Sequence, residues 1–363
     1  MHLDIRTQQR NTRTVIQGLV YEHNHLTTGW GLLDVHVLLA DVNDPCITIA
    51  PLKAGGALGR SDTVPNMVAH AGAAAGINAD YFASFDEHTT HFGPMVQDGR
   101  LLAANATVNV GACDFGTFCL DRDNRMTFVF THIGIPLFVN GQRSPVSVDL
   151  YNTVGQQLGG VLLIDRFGME DTAMLQQRMP AVQSIVISGG IVTQIADRGV
   201  AVAVPQDGFV LMLPEEKSDQ LRYFAPGDRV EKQIINAADI DFTRVQAAIG
   251  GGKLILQGGT LPPNGVVNDG RHPRSALGAT ADGKLVMMAV DGRSRSVGVT
   301  YEELAALMQH YGAVDAIHLD GGGSTTLAVQ DQSGVPVVVN TPSDGSPRRV
   351  INALGVSRTK ISA

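Results

Sequence analysis

The sequence predicts an α+β fold: β-rich, with mixed sheets, few helices and one parallel strand–helix–strand unit near the C-terminus. Three observations carry this expectation. Short apolar runs broken by Gly, Asn, Asp and Ser clusters recur about every ten residues between 101 and 260, the rhythm of strands and turns. Glycine is abundant, at 41 of 363 residues, which suits many turns rather than long helices. Near the C-terminus, Thr300 and Glu303 frame a capping box, and Leu304, Leu307, Met308 and Tyr311 repeat at helical spacing between two apolar runs.

From the N-terminus, Val15-Ile16, Leu19-Val20-Tyr21, the run from Leu32 to Leu39, and Ile47-Thr48-Ile49 read as strands. Asp62-Thr63-Val64-Pro65 opens a short helix that closes at Gly72. The next strand ends in Asn78-Ala79-Asp80-Tyr81-Phe82, a polar exit beside two aromatics that suits the edge of a site as well as an Asx turn. His88 and His91 sit at i, i+3, a spacing that invites a metal, although a histidine-bearing loop is the commoner outcome. A helix is expected at about 170–178 within the long β-rich passage. Gly250-Gly251-Gly252 lacks the spacing and following helix of a phosphate-binding loop.

The informative quarter is 271–352. A strand from Lys284 to Val290 stops at Asp291-Gly292-Arg293; the capped helix runs from Thr300 to Tyr311 and ends at Gly312; a second strand, Val314 to Leu319, stops at Asp320. A crossover helix makes its two strands parallel, so Asp291 and Asp320 are expected at the same sheet end, about 5–10 Å apart if the strands are neighbours. Arg274, Arg293 and the Gly321-Gly322-Gly323 run, read as a phosphate-facing nest, are expected around the same crevice. Leu327 to Val329 and Val337 to Val339 form a hairpin, and a strand from Asn352 to Val356 closes the chain.

Composition narrows the function. The length allows about two domains, but no linker, repeat or low-complexity tract divides the chain. A single domain is expected, with an N-terminal part at 14–130, a middle part at 131–245 and a C-terminal part at 246–358. A net charge of −8 argues against a nucleic-acid surface, and no apolar run is long enough to span a membrane. The polar N-terminus carries no signal-type apolar segment, which implies a secreted or cell-envelope address if a signal has been removed and a cytoplasmic one otherwise. Of Cys46, Cys113 and Cys119, three buried free thiols are expected over a Cys113–Cys119 bridge.

Five stretches together resemble the phosphodiester glycosidases related to the lysosomal uncovering enzyme. They are Ile77 to Phe82; His272-Pro273-Arg274-Ser275-Ala276-Leu277-Gly278; Val290-Asp291-Gly292-Arg293; Leu319 to Thr325; and Asn340-Thr341-Pro342-Ser343-Asp344-Gly345 with Arg349. Two positions depart from many relatives: Ala79-Asp80 stands where glycines follow the Asn, a variation resembling bacterial members, and Arg348 stands where an acidic residue precedes the final arginine. The resemblance implies hydrolysis of the bond between an anomeric carbon and a phosphodiester, of GlcNAc-α-1-phosphodiester type. It implies Asp320, Asp291 and Asp80 as the catalytic set. Asn78, Arg274, Arg293, Gly322, Gly323, Ser324, Asp344 and Arg349 are then expected to bind substrate, with Asp344 and Arg349 alternatively paired to close the pocket. No cofactor is required on this reading, though a calcium-like divalent cation near Asn78 and Asp80 is compatible with it. The partner is a glycan or sugar-phosphodiester substrate, and the residues leave the oligomeric state open. Two alternatives stand beside it: a metal-dependent phosphodiesterase attacking phosphorus with Asp80, Asp291 and Asp320 as ligands, and a non-catalytic binder of anionic cell-surface glycans.

Overall fold

The structure is a computed structural model that describes residues 3–56, 58–85, 88–106, 115–153, 160–262 and 270–359. Its organising element is a seven-stranded sheet with the order Ile5–Ile16, Leu19–Thr28, Gly31–Asp41, Lys284–Val290, Arg274–Thr280, Ala313–His318, Leu254–Leu256. Every neighbouring pair in it is antiparallel.

This corrects the predicted fold class. Lys284–Val290 and Ala313–His318 do point the same way, but Arg274–Thr280 lies between them and runs against both. The expected parallel unit is therefore split, and the architecture is an antiparallel β protein. Parallel pairing among the described residues is confined to two residue pairs between Leu150–Tyr151 and Leu162–Asp165. The α-helices described are short: Val64–Ala71, Ala173–Arg178 and Tyr301–His310. The signal for the inserted strand was local: Asp282-Gly283, with Gly283 at φ +83°, turns Arg274–Thr280 into Lys284–Val290 as a hairpin.

The helix between those strands forms as its caps dictate. The Thr300 hydroxyl accepts from the Glu303 N–H, the Glu303 carboxylate accepts from the Thr300 N–H, and Gly312 follows the helix at φ +84°. Such a cap is worth about 1 kcal/mol. The helix buries Leu304, Leu307 and Met308 against Val37, Ala276, Val286, Met288 and Ala316 on one face of the sheet; each large buried side chain contributes about 2 kcal/mol.

The opposite face packs on a five-stranded sheet ordered Pro336–Val338, Leu327–Gln330, Ala75–Asn78, Asn352–Arg358, Ile47–Lys53. Leu277, Met287 and Ile317 from the first sheet meet Ile49, Ile77, Leu327 and Leu354 from the second. Helix Val64–Ala71 covers the far side, through Met67 and Val68 on Leu52, Ala328 and Ala353. The result is four layers: helix, sheet, sheet, helix. Residues from the N-terminal and C-terminal parts together build the two central sheets. Residues 95–250 supply a ten-stranded sheet and a smaller four-stranded one, which share their own core. Cys119 is a buried free thiol and Cys46 a half-buried one, whereas Cys113 lies outside the described residues.

Candidate functional site

The site is built where the two central sheets meet at the exit of Ala313–His318. Leu319 N–H donates to Ser275 O at 2.8 Å and Asp320 N–H to Ala79 O at 3.0 Å, which ties the strand exit to both sheets. Asn78 fastens the junction. Its Nδ2 donates to Asp320 O at 2.6 Å, and its Oδ1 accepts from Ser275 Oγ at 2.7 Å and Thr326 N–H at 3.0 Å. Fully enclosed and with these bonds made, Asn78 holds the backbone of the site together.

Two carboxyl groups face this junction. Burial pushes Asp320 up to about 6, opposed by the Ser324 hydroxyl, the Gly321 N–H and the Arg348 charge, and reinforced by Asp80. Burial also raises Asp80, against contacts from His91 and the Gly93 N–H. Gly93 N–H donates to Asp80 Oδ2 at 2.8 Å, while Oδ1 is enclosed without a hydrogen-bond partner. Gly250 makes that enclosure possible, since a Cβ there would stand 2.6 Å from Asp80 Oδ1. A buried, half-satisfied carboxyl beside a second one is the environment in which protonation states separate.

Cations and aromatic rings complete the wall. Arg274 is buried, with its guanidinium 3.8 Å from the Tyr301 ring centroid. The Tyr81 hydroxyl lies 3.4 Å from the Tyr301 hydroxyl and 3.2 Å from His318 Nδ1. His318 Nε2 accepts from Lys253 N–H at 2.9 Å, and a Cβ on Gly252 would collide with the ring, so this histidine is seated by the second glycine run. Burial and the Tyr301 and Asp320 groups raise the Tyr81 phenol, keeping it protonated as a donor. Arg348 reaches Asp344 Oδ2 through Nε at 2.9 Å and Nη2 at 2.6 Å, and Ser324 Oγ through Nη1 at 3.3 Å. Arg293 holds a left-handed backbone at φ +60° and lies beside His272 Nδ1 at 3.2 Å. Its guanidinium lies across Gly322, where a Cβ would approach Arg293 Nη2 to 3.3 Å. A non-glycine residue in that conformation costs about 1–2 kcal/mol, strain of the kind that collects at functional sites.

Several predicted residues lie elsewhere or are otherwise engaged. Asp291 leaves the same sheet end as Asp320, but its carboxylate turns to the face between the sheets. There it accepts from Asn340 Nδ2 at 3.1 Å and from Thr341 N–H at 3.0 and 2.9 Å, with His36 Nε2 at 3.6 Å. One intervening strand separates the two aspartates by two strand spacings, roughly 10 Å. Asp344 pairs with Arg348, whereas Arg349 turns outward to Asp62 and the Ser61 carbonyl, so an Asp344–Arg349 pair does not form. The glycine nest is partly consumed: Gly322 N–H donates to Pro273 O at 2.8 Å and Gly321 N–H serves Asp320. His91 packs on Asp80 at 3.7 Å, and the His88 side chain lies outside the described residues. Tyr81, Tyr301 and Arg348 were not assigned roles from the sequence. Arg348 did leave a signal there, as the departure from the family pattern.

Asp80, Asp291 and Asp320 do not gather as three ligands of one ion. Among the described residues, a convergent group of three metal-type ligands occurs instead at His23, His25 and Asp34.

Residues 182–357 match the family described as Phosphodiester glycosidase. The chain is 42% identical over 88 residues to the SPbeta prophage-derived uncharacterized protein YomE of Bacillus subtilis (strain 168), covering 24% of this chain and 13% of that protein. It is 39% identical over 56 residues to the N-acetylglucosamine-1-phosphodiester alpha-N-acetylglucosaminidase of Bos taurus, covering 15% of this chain and 11% of that protein. The aligned segments thus span a small fraction of either relative. A hypothetical protein from Synechocystis shares the fold, with a TM-score of 0.79 at 19% identity over 97% of this chain and 64% of that one.

Proposed function

From the phosphodiester glycosidase match of residues 182–357, we propose that this chain hydrolyses the glycosidic bond of a sugar-1-phosphodiester, of GlcNAc-α-1-phosphodiester type. Free sugar and a phosphomonoester are the products. The observation that supports it best is the desolvated Asp320 carboxyl, raised to about 6, set among Arg274, Arg293 and Arg348.

Each part has a task in such a reaction. The transition state carries oxocarbenium charge at the anomeric carbon, and Asp320, ionised at neutral pH yet poorly solvated, faces that carbon. Asp80 lies behind it with one orphaned oxygen, and burial, reinforced by Asp80, keeps the Asp320 proton affinity high. The departing phosphate needs little protonation, so stabilising its charge matters more than a strong general acid. Planar guanidinium groups suit phosphate oxygens. Arg274 is fixed by its stacking on Tyr301, and Arg348 by Asp344 and Ser324. Tyr301, covered by Arg274 and His318, and Tyr81, bonded to His318, form the wall that holds these groups in place.

Proton NMR of the products from an α-GlcNAc-1-phosphodiester tests this. Free GlcNAc with a phosphomonoester is expected, and Asp320→Asn should slow its release by about 10³-fold while the protein stays folded. Release of GlcNAc-1-phosphate would mean attack at phosphorus, and full turnover by Asp320→Asn would remove the central assignment.

A further inference from the structure

A second constellation stands on the hairpin formed by Leu19–Thr28 and Gly31–Asp41, away from the carboxylates of the proposed reaction. The register sets His25 directly opposite Asp34 and His23 directly opposite His36. Alternation along a strand then places all four side chains on one sheet face. His23 stacks on His36 with ring centroids 4.2 Å apart, and its ring lies 4.2 Å from that of His25. His25 Nδ1 contacts Asp34 Oδ1, and His23 Nε2 is 3.6 Å from the same oxygen. One ligand-type atom from each of His23, His25 and Asp34 lies within 4.8 Å of the other two. His23 Nε2 is enclosed and lacks a hydrogen-bond partner, its approach to Asp34 Oδ1 being too long at 3.6 Å, and Asp34 Oδ1 is met by His25 Nδ1 alone.

We propose that His23, His25 and Asp34 bind one divalent cation of the zinc class. Two imidazole nitrogens and one carboxylate oxygen suit zinc and its transition-metal neighbours, whereas calcium and magnesium take oxygen shells. Metal–ligand bonds of about 2.0–2.2 Å put donors roughly 3–3.5 Å apart, so small rotations close the present spacing around an ion.

The surroundings fit the same purpose. His36, stacked on His23, bonds the Tyr21 hydroxyl at 2.8 Å through Nδ1 and approaches Asp291 Oδ2 at 3.6 Å through Nε2. Held at both ring nitrogens, it gives the His23 ring a fixed surface to stack on. In front, a cavity of about 420 Å³ lined by Thr7, Gln9, His25, Asp34 and Arg295 leaves room for water or an anion in the remaining positions.

The test is calorimetric titration of the tag-free, chelator-stripped full chain with zinc chloride, and separately with calcium chloride. One zinc per chain is expected, with no comparable calcium uptake. His25→Ala and Asp34→Asn should each weaken zinc binding at least tenfold; His25 is exposed, so its loss leaves the core intact. His70→Ala, a change at an exposed helix end, should leave binding unaltered. Cobalt should give a visible absorption spectrum that His25→Ala removes. Absent zinc binding, unchanged affinity in both variants, or equal calcium uptake would each overturn the proposal. None of these readouts depends on glycosidase turnover, and Asp320→Asn should bind zinc as the parent does.

Discussion

Asp291 and Asp320 terminate two strands that run in the same direction in the same sheet, yet they do opposite things. Asp291 accepts hydrogen bonds from Asn340 and Thr341 and fixes the loop that carries Asp344. Asp320 is desolvated, shares its neighbourhood with Asp80 and lies within reach of the Arg348 charge. The sheet pleat makes the difference: the Asp291 carboxylate enters the closed space between the sheets, and that of Asp320 the junction where they part. Position at a strand end is thus a poor guide to chemistry; the degree to which the protein already satisfies the carboxylate is a better one.

Five experiments would break or sharpen that contrast. The largest effect is expected for Asp320→Asn, which should cut kcat for an α-GlcNAc-1-phosphodiester by about 10³-fold, or about 4 kcal/mol. Circular dichroism should show it folded. Asp291→Ala should instead act on stability, losing about 3 kcal/mol in urea denaturation because it orphans the Asn340 and Thr341 donors. A stable but dead Asp291→Ala protein would erase the distinction.

The third concerns pH. Raising Asp320 from 3.8 to about 6 means that the folded protein holds this proton more tightly than the unfolded chain. Its contribution is fully present below about pH 4, and stability falls as pH rises toward 6, by about 2–3 kcal/mol in all. Asp320→Asn should therefore gain stability relative to the parent at pH 8, and the gain should vanish by pH 4. Equal gains at both values would contradict the raised carboxyl.

Gly322→Ala should cost about 1–2 kcal/mol, because Gly322 has φ +62° and a methyl there crowds Arg293. Its KM should rise as the Arg293 guanidinium is displaced. Least of all, Arg349→Ala should change stability by under about 0.5 kcal/mol and KM not at all, being an exposed ion pair with Asp62. The neighbouring Arg348→Ala should raise KM about tenfold, about 1.4 kcal/mol; equal behaviour of the two arginines would show that the assignment of Arg348 to the site is wrong.

What was legible in the sequence was mostly local. The capping box of Tyr301–His310, the strand exits at Asn78 and Asp320, and the hairpin after the glycines depend on residues close together in the chain. The order of strands is not local, and the reading of a crossover overlooked the Asp282-Gly283 turn that inserts Arg274–Thr280 between the other two. Tyr301 read as the first helical residue, with nothing nearby to announce that Arg274 would stack on it. Arg348 and Arg349 are adjacent and chemically alike, and only the path of the loop sends one inward and the other to Asp62. The His23–His25–Asp34 group escaped notice for a similar reason: a hairpin register, rather than a spacing, brings it together.

The way the two central sheets are assembled bears on the order of events during synthesis. Gly31–Asp41 waits for Lys284–Val290, and Ile47–Lys53 for Asn352–Arg358. Roughly three hundred residues separate the last pair, so loop closure is costly and folding of these sheets is slow. On the ribosome, most of the strands of the middle sheets can pair while both N-terminal partners remain exposed. Asp80 and Asp320 meet only when the segment around Asp320 docks on the exit of Ala75–Asn78, a closure across about 240 residues, so the reaction centre forms only after a long-range contact is made.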